Sequence, residues 1–152
     1  MTEITGFVAT SDQALPLHVL DRAQFMAWNA AQPPALQAWL QSQNFTASGH
    51  SVALLPGENG IAGAVIGIGD AGDAYSYAHA PHALPEGTVW KVATALEPAQ
   101  QDLLQLGWGL GSYRFDRYKA RNRAPAQLLA SPSAEVAALV AASLLVRDWV
   151  NT

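Results

Sequence analysis

The sequence predicts an α/β domain built in three layers, a mixed β-sheet with helices on both faces. Two observations support this fold class. Short β-type segments alternate with helical ones and no internal repeat is present, while half of the 152 residues are hydrophobic and only 13% are charged. This balance is typical of a folded globule with a core of its own, because disordered chains combine low hydrophobicity with high charge.

The first half of the chain predicts four strands and two helices. Strands are expected at residues 5–10 and 17–20, followed by a helix from Ala23 to the break at Pro33-Pro34 and a short amphipathic helix carrying Leu36, Trp39 and Leu40 before Gly49. Residues 51–55 predict a strand that ends in the turn 56–60. Residues 61–68 are apolar on both faces, as expected of a central strand covered on each side.

The second half predicts two helices and one brief strand. Residues 98–121 place Leu103, Leu106 and Leu110 on one stripe. Three glycines in that helix, 107, 109 and 111, indicate close packing or a break, because each costs ~1 kcal/mol relative to alanine. Residues 127–130 predict a strand. The last helix is expected to have Ser131 as its cap, Pro132 at its first position and an apolar face of Ala137, Val140, Ala141, Leu144, Leu145 and Trp149.

Composition excludes several functional classes. The chain has no cysteine, so disulfides, thiolate nucleophiles and cysteine-based zinc sites are absent. Its formal charge of −4 gives no global attraction to nucleic acid or to an anionic membrane. No signal peptide is recognised, and no apolar stretch reaches the ~20 residues of a membrane span. We therefore expect a soluble, cytoplasmic protein.

Residues 67–72 match the G-x-G-x-x-G dinucleotide motif directly after a predicted strand. Such a site also needs a long helix, whose first amides meet the pyrophosphate. Pro81 and Pro85 leave room for two turns at most, and Asp70 and Asp73 place negative charge where phosphates would lie. A glycine-rich turn is therefore favoured, and no cofactor-binding residue is predicted.

Two further constellations predict no catalytic or metal site. His79 and His82 are separated by Pro81, which prevents a regular helix from presenting both rings on one face, and structural zinc requires four ligands. We therefore expect two surface-loop histidines. No G-x-S-x-G nucleophile motif is present, and the twelve acidic residues are scattered. No catalytic or metal-ligating residue is predicted in this chain.

A basic cluster is the sharpest charge feature. Its members are Arg114, Arg117, Lys119, Arg121 and Arg123, interleaved with aromatic residues. Arginine with aromatics can bind nucleic acid. Because the rest of the chain is acidic, we favour a different interpretation of the cluster. It is either the cationic end of a helix or a face that lies against another domain.

At this cluster the sequence resembles a known family. Residues 106–119, LGWGLGSYRFDRYK, are similar to the G-x-x-L-G-x-Y-R-F-D-x-Y-K segment of many bacterial leucyl aminopeptidases, also called cytosol aminopeptidases. Residues 135–152 resemble the helix that leads into the catalytic domain of that family, where members read approximately A-R-D-L-x-N-x-P. Together the two segments cover about the last third of the chain.

The resemblance implies the amino-terminal, non-catalytic domain of a two-metal aminopeptidase. According to this resemblance, residues 1–130 form a macro-domain-like α/β domain. Residues 131–152 form a helix that leads towards a catalytic domain absent from this chain. The family's metal ligands lie in that domain, so no ligand of its Zn or Mn ions is carried onto this sequence. The implied partners are the chain's own catalytic domain and the other subunits of a homo-hexamer.

The interface residues that we predict are Arg114, Arg117, Lys119, Arg147 and Trp149. Two other functions stay open at the level of sequence. One is a free-standing macro-like module that binds a ligand such as ADP-ribose at the loop after Ile68. The other is a nucleic-acid-binding accessory domain that uses the basic cluster.

Overall fold

The computed structural model describes residues 6–58, 60–69, 76–112, 125–130 and 132–150, without the side chains of residues 144 and 147–150. Over these residues the strands are β1 (Phe7–Val8), β2 (Leu15–Leu20), β3 (Ser51–Gly57), β4 (Gly60–Gly67), β5 (Val89–Val92) and β6 (Gln127–Leu129). The helices are α1 (Arg22–Ala30), α2 (Pro34–Ser42), α3 (Ala80–Ala83), α4 (Pro98–Ser112) and α5 (Ala134–Val150).

The strands form one mixed sheet in the order β1-β6-β5-β2-β4-β3. Neighbouring strands are parallel except β3 and β4, which form an antiparallel pair. A register shift between Leu55 and Pro56 lets this pairing continue to Gly57 and Gly60. The two strands therefore extend into the segment 56–60, which was predicted to be a turn.

Helices cover both faces of the sheet, which confirms the α/β fold class. Successive side chains of a strand point to opposite faces, so on β4 the buried Val65 joins one apolar cluster while Ala64 and Ile66 join another. The first cluster includes Phe25 of α1 and Leu40 of α2, and the second contains side chains of α3 and α4. The prediction of a covered central strand is confirmed for β4.

The boundary of α1 follows from a capping box. The Asp21 side chain accepts a hydrogen bond from the Gln24 amide at 2.7 Å, and the Gln24 side chain accepts one from the Asp21 amide at 3.0 Å. Each bond satisfies an amide that a helix terminus leaves unpaired. Pro34 stands at the first position of α2, where its missing N–H costs nothing, so the proline pair separates two helices as predicted.

Strand β5 and helix α3 were not predicted from the sequence. Each is only four residues long, too short for a hydrophobic period to stand out. Strand β5 is stabilised by parallel pairing with both β2 and β6 and by the fully buried Trp90. It is therefore defined by its neighbours in the sheet more than by its own residues.

The start of α5 differs from the prediction. The helix begins at Ala134, and the Ser133 hydroxyl accepts the Val136 amide at 3.2 Å. The cap is thus Ser133 and not Ser131, which lies outside the described residues, and Pro132 precedes the cap instead of opening the helix. The predicted position was wrong because the sequence Ser-Pro-Ser offers two residues that can act as caps.

The inward face of α5 also differs. Val136 and Val140 are buried, whereas Ala141 and Leu145, expected on the apolar face, are exposed. The segment from 136 to 146 is apolar except for Ser143, so the spacing of apolar residues could not indicate which side faces the core.

Helices α4 and α5 meet at a glycine. A Cβ atom on Gly109 would come within 2.8 Å of Val140 Cγ2, so the two helices approach more closely than an alanine would allow. This confirms the close packing predicted from the glycines of this segment. Helix α4 is described to Ser112, and the rest of the predicted helix lies outside the described residues.

Candidate functional site

The loop after β4 lies at the carboxyl-terminal edge of the parallel strands, where open α/β sheets usually bind ligands. Its backbone amides already have partners. The Ile68 amide donates to the Leu20 carbonyl at 3.1 Å, and the Gly69 amide donates to the Ala47 carbonyl at 2.9 Å. These two amides are consequently not available to a phosphate group.

The glycines of this loop serve close packing. A Cβ atom on Gly67 would lie 2.5 Å from the carbonyl carbon of Ala47. Gly69 has φ of +64°, a left-handed conformation that glycine adopts without strain, and its carbonyl accepts the Arg22 amide at 3.2 Å. The favoured interpretation of a glycine-rich turn is therefore supported over residues 67–69. Asp70, Asp73 and the end of the motif lie outside the described residues.

His79 and His82 bind backbone carbonyls on two different elements. His79 Nε2 lies 3.1 Å from the Ser51 carbonyl at the start of β3, and His82 Nε2 lies 3.4 Å from the Ser112 carbonyl at the end of α4. Both side chains are half-buried and belong to α3 and its cap. The expectation of two surface-loop histidines was wrong, since these rings connect α3 to the elements around it.

The electrostatics of His79 favour its neutral form. Burial lowers the pKa of His79, the hydrogen bond to the Ser51 carbonyl raises it, and the nearby His50 lowers it again. The two imidazole rings lie 5.4 Å apart between centroids. Because Ser51 offers an acceptor, the neutral ring donates from Nε2. Across the described part of the chain, no three His, Asp or Glu side chains come together as a metal site would require.

A cavity of about 260 Å³ lies at the carboxyl-terminal edge of the parallel strands. It is lined by the ends of β5 and β6 and by helix α4. Its polar lining consists of Lys91, Thr94, Gln101 and Gln105. Two of these are already engaged: Thr94 Oγ1 accepts the Val19 amide at 2.8 Å, and the Gln101 side chain donates to the Leu96 carbonyl at 3.0 Å. The lining holds no acid–base pair that would indicate a reaction.

The interface residues predicted from the sequence are not placed by the structure. Arg114, Arg117 and Lys119 lie outside the described residues. Arg147 and Trp149 belong to α5, but their side chains are not described. Their role at an interface stays a prediction.

A surface feature that the sequence analysis missed lies on α5. Three large apolar side chains of this helix are exposed: Leu139, Leu145 and Val146. The signal was present in the sequence, since no charged residue occurs between Glu135 and Arg147. Within the described residues, none of the helices is long and apolar enough to cross a membrane.

Comparison with known proteins places this fold in a family. The chain matches the family model of the M17 aminopeptidase N-terminal domain over residues 15–131. No match is found among curated proteins. The fold resembles the crystal structure of cytosol aminopeptidase from Coxiella burnetii, with a TM-score of 0.80 and 21% identity over 94% of this chain and 32% of that chain.

A mutant of tomato leucine aminopeptidase is similar at a TM-score of 0.52 and 13% identity, over 91% of this chain and 35% of that one. At such identities the structural likeness shows the fold alone. This chain spans about a third of the length of either enzyme. With the family model matching most of its residues, the chain belongs to the M17 aminopeptidases, as an N-terminal domain of that family.

Proposed function

We propose that this chain is the N-terminal domain of a two-metal, leucyl-aminopeptidase-type enzyme that releases amino-terminal residues from peptides. The chain itself has no active site in this proposal. It serves packing against the catalytic domain and assembly of a homo-hexamer in the cytoplasm.

The match to the N-terminal domain model carries the proposal. It is supported by the similarity to an enzyme chain about three times as long, in which two thirds of the residues have no counterpart here. These observations agree with a division in which binding and catalysis belong to another domain.

The chemistry follows from that division. The two divalent ions implied for the parent enzyme, zinc or manganese, would activate a bridging water and polarise the scissile carbonyl. Because the described part of this chain offers no ligand set, we assign neither ion to it. Its own contribution is to position the catalytic domain and to hold neighbouring subunits, through surfaces that include the predicted residues Arg114, Arg117, Lys119, Arg147 and Trp149.

The proposal predicts that the purified 152-residue chain does not hydrolyse leucine-para-nitroanilide with added Mn²⁺ or Zn²⁺, because the proposal assigns both metal ions to the catalytic domain. Release of para-nitroaniline is followed by absorbance. The product of the full-length natural gene is the matched control, and its activity should disappear with a chelator and return with metal.

Two outcomes would contradict the proposal. Turnover by the 152-residue chain that survives re-purification would mean that it has an active site. A full-length product without metal-dependent activity would mean that the parent protein is not an aminopeptidase.

A further inference from the structure

Helix α5 exposes an unusual amount of apolar surface. Five large hydrophobic side chains are exposed in the described part of the chain, and three of them lie on this helix: Leu139 at 48%, Leu145 at 70% and Val146 at 57%. Contiguous apolar surface of this kind is uncommon on a soluble monomer and marks interaction sites.

The exposed residues lie opposite the face that packs on α4. Val136 and Val140 are 4% and 1% exposed, and Val140 contacts the helix α4 at Gly109. Residues 138, 139, 142, 145 and 146 are all exposed, and they follow the three- and four-residue spacing of a second stripe on the same helix. We call this stripe the outer face of α5.

The outer face has the character of a buried surface. It consists of Ala138, Leu139, Ala142, Leu145 and Val146, with no charged residue among them. A helix that is apolar on opposite sides is normally covered on both. In the sequence, Trp149 continues the spacing four residues after Leu145, although its side chain lies outside the described residues.

The comparisons support one occupant for this face, a further domain of the same protein. The family model of the N-terminal domain ends at residue 131, before α5 begins. The match to the Coxiella cytosol aminopeptidase extends over 94% of the chain and so includes part of α5. In that enzyme, two thirds of the polypeptide lie outside the matched region. The counterpart of α5 there is thus attached to a much larger body of protein.

A membrane surface fits the outer face less well. Helices that lie in a membrane interface carry lysine and arginine on their polar side. Residues 134–146 contain neither. An apolar protein surface is the better complement.

We propose that the catalytic domain of the parent aminopeptidase docks on the outer face of α5 through an apolar surface of its own. This inference rests on the proposed function. It places an apolar contact on Leu139, Leu145 and Val146, in addition to the interface predicted from the sequence for the basic cluster. The core of the interface is then apolar, and the charged residues Glu135 and Arg147 lie at the two ends of the stripe in sequence.

The test uses the full-length natural protein with Leu139→Glu and Leu145→Glu together. The matched control is Met26→Glu, on α1, where the side chain is 73% exposed and outside the outer face. Hydrogen exchange is measured for the amides of residues 134–146. We expect them to exchange about tenfold or more slowly in the full-length protein than in the 152-residue chain, because docking suppresses local opening.

The double variant should lose this protection and the Met26→Glu variant should keep it. In the 152-residue chain, the double variant should unfold at the same temperature as the unsubstituted chain, since both side chains are already exposed. Unchanged protection in the full-length double variant would overturn the docking surface. So would a double variant that unfolds the isolated chain, because the residues would then belong to the domain's own fold.

Other occupants give distinct results. Self-association of the 152-residue chain, abolished by the double substitution, with no protection in the full-length protein would assign the face to a second copy. Cosedimentation with anionic lipid vesicles, abolished in the same way, would assign it to a membrane. Absence of peptidase activity in the unsubstituted full-length protein contradicts the proposed function, whereas normal activity with an unprotected α5 contradicts the docking surface alone.

Discussion

Gly67 leaves no space for a side chain at the end of β4. The Ala47 carbonyl carbon and the Ser51 side chain both occupy the position where a Cβ atom would stand. The segment around Ala47, which has φ of +60°, therefore lies directly on the edge of the sheet. This contact explains the glycine through packing, without a ligand.

Gly67→Ala should lower the free energy of unfolding by ~1–3 kcal/mol, because the backbone it would contact cannot move as the end of a flexible side chain can. Gly49→Ala is the control, since a Cβ atom there meets nothing within 4 Å. Urea denaturation of both variants measures the difference. A Gly67→Ala protein as stable as the control would contradict the packing explanation.

At the residue scale, the sequence indicated that the glycines at the end of β4 form a turn, but it did not indicate which atoms they approach. The partner of Gly67 lies about twenty positions earlier in the chain, and no local pattern connects the two. The same limit applies to His79. Its ring binds the Ser51 carbonyl of a strand that is distant in sequence, so burial of this histidine could not be predicted from the residues around it.

At the scale of elements, α5 depends on Ser133 for its first turn. We expect Ser133→Ala to lower the free energy of unfolding by ~1 kcal/mol, because the Val136 amide loses its acceptor. Ser131→Ala should change stability less, since α5 begins three residues later, at Ala134. Thermal unfolding by circular dichroism compares the two variants. A larger loss from Ser131→Ala would restore Ser131 as the cap.

Strand β4 and helix α1 were predicted well from their own residues, whereas strand β5 and the orientation of α5 were not. Strand β4 is a continuous apolar run, and in α1 the aromatic residues Phe25 and Trp28 recur at helical spacing. Strand β5 exists because β2 and β6 flank it, which is a property of the sheet. In α5 the nearly uniform apolar sequence predicted a helix correctly but could not give its orientation.

At the scale of the whole molecule, the basic cluster gives a prediction that rests on the sequence, because its residues lie outside the described ones. Arg114→Ala with Arg117→Ala should weaken domain docking or hexamer assembly in the full-length protein. The melting temperature of the 152-residue chain should change little, because charged pairs at a domain surface contribute ~1 kcal/mol or less. Light scattering gives the assembly mass and calorimetry gives the domain stability.

If that double variant assembles normally while the isolated chain loses most of its stability, the two arginines belong to the fold of the domain. The interface prediction for the basic cluster would then be wrong. The docking surface on α5 would be unaffected, because it rests on different residues.

The pairing of β1 with β6 has a consequence for biosynthesis. Phe7 lies opposite Leu128, and Val8 lies opposite Leu129, so the first strand of the domain is adjacent to the last. The amino terminus emerges from the ribosome first. Strand β1 therefore has no strand to pair with until nearly the whole domain has been translated. Until then the growing sheet has β5 at its open edge. Completion of the sheet is therefore a late step in the synthesis of this domain, and a nascent chain that ends before β6 would lack the strand that pairs with both β1 and β5.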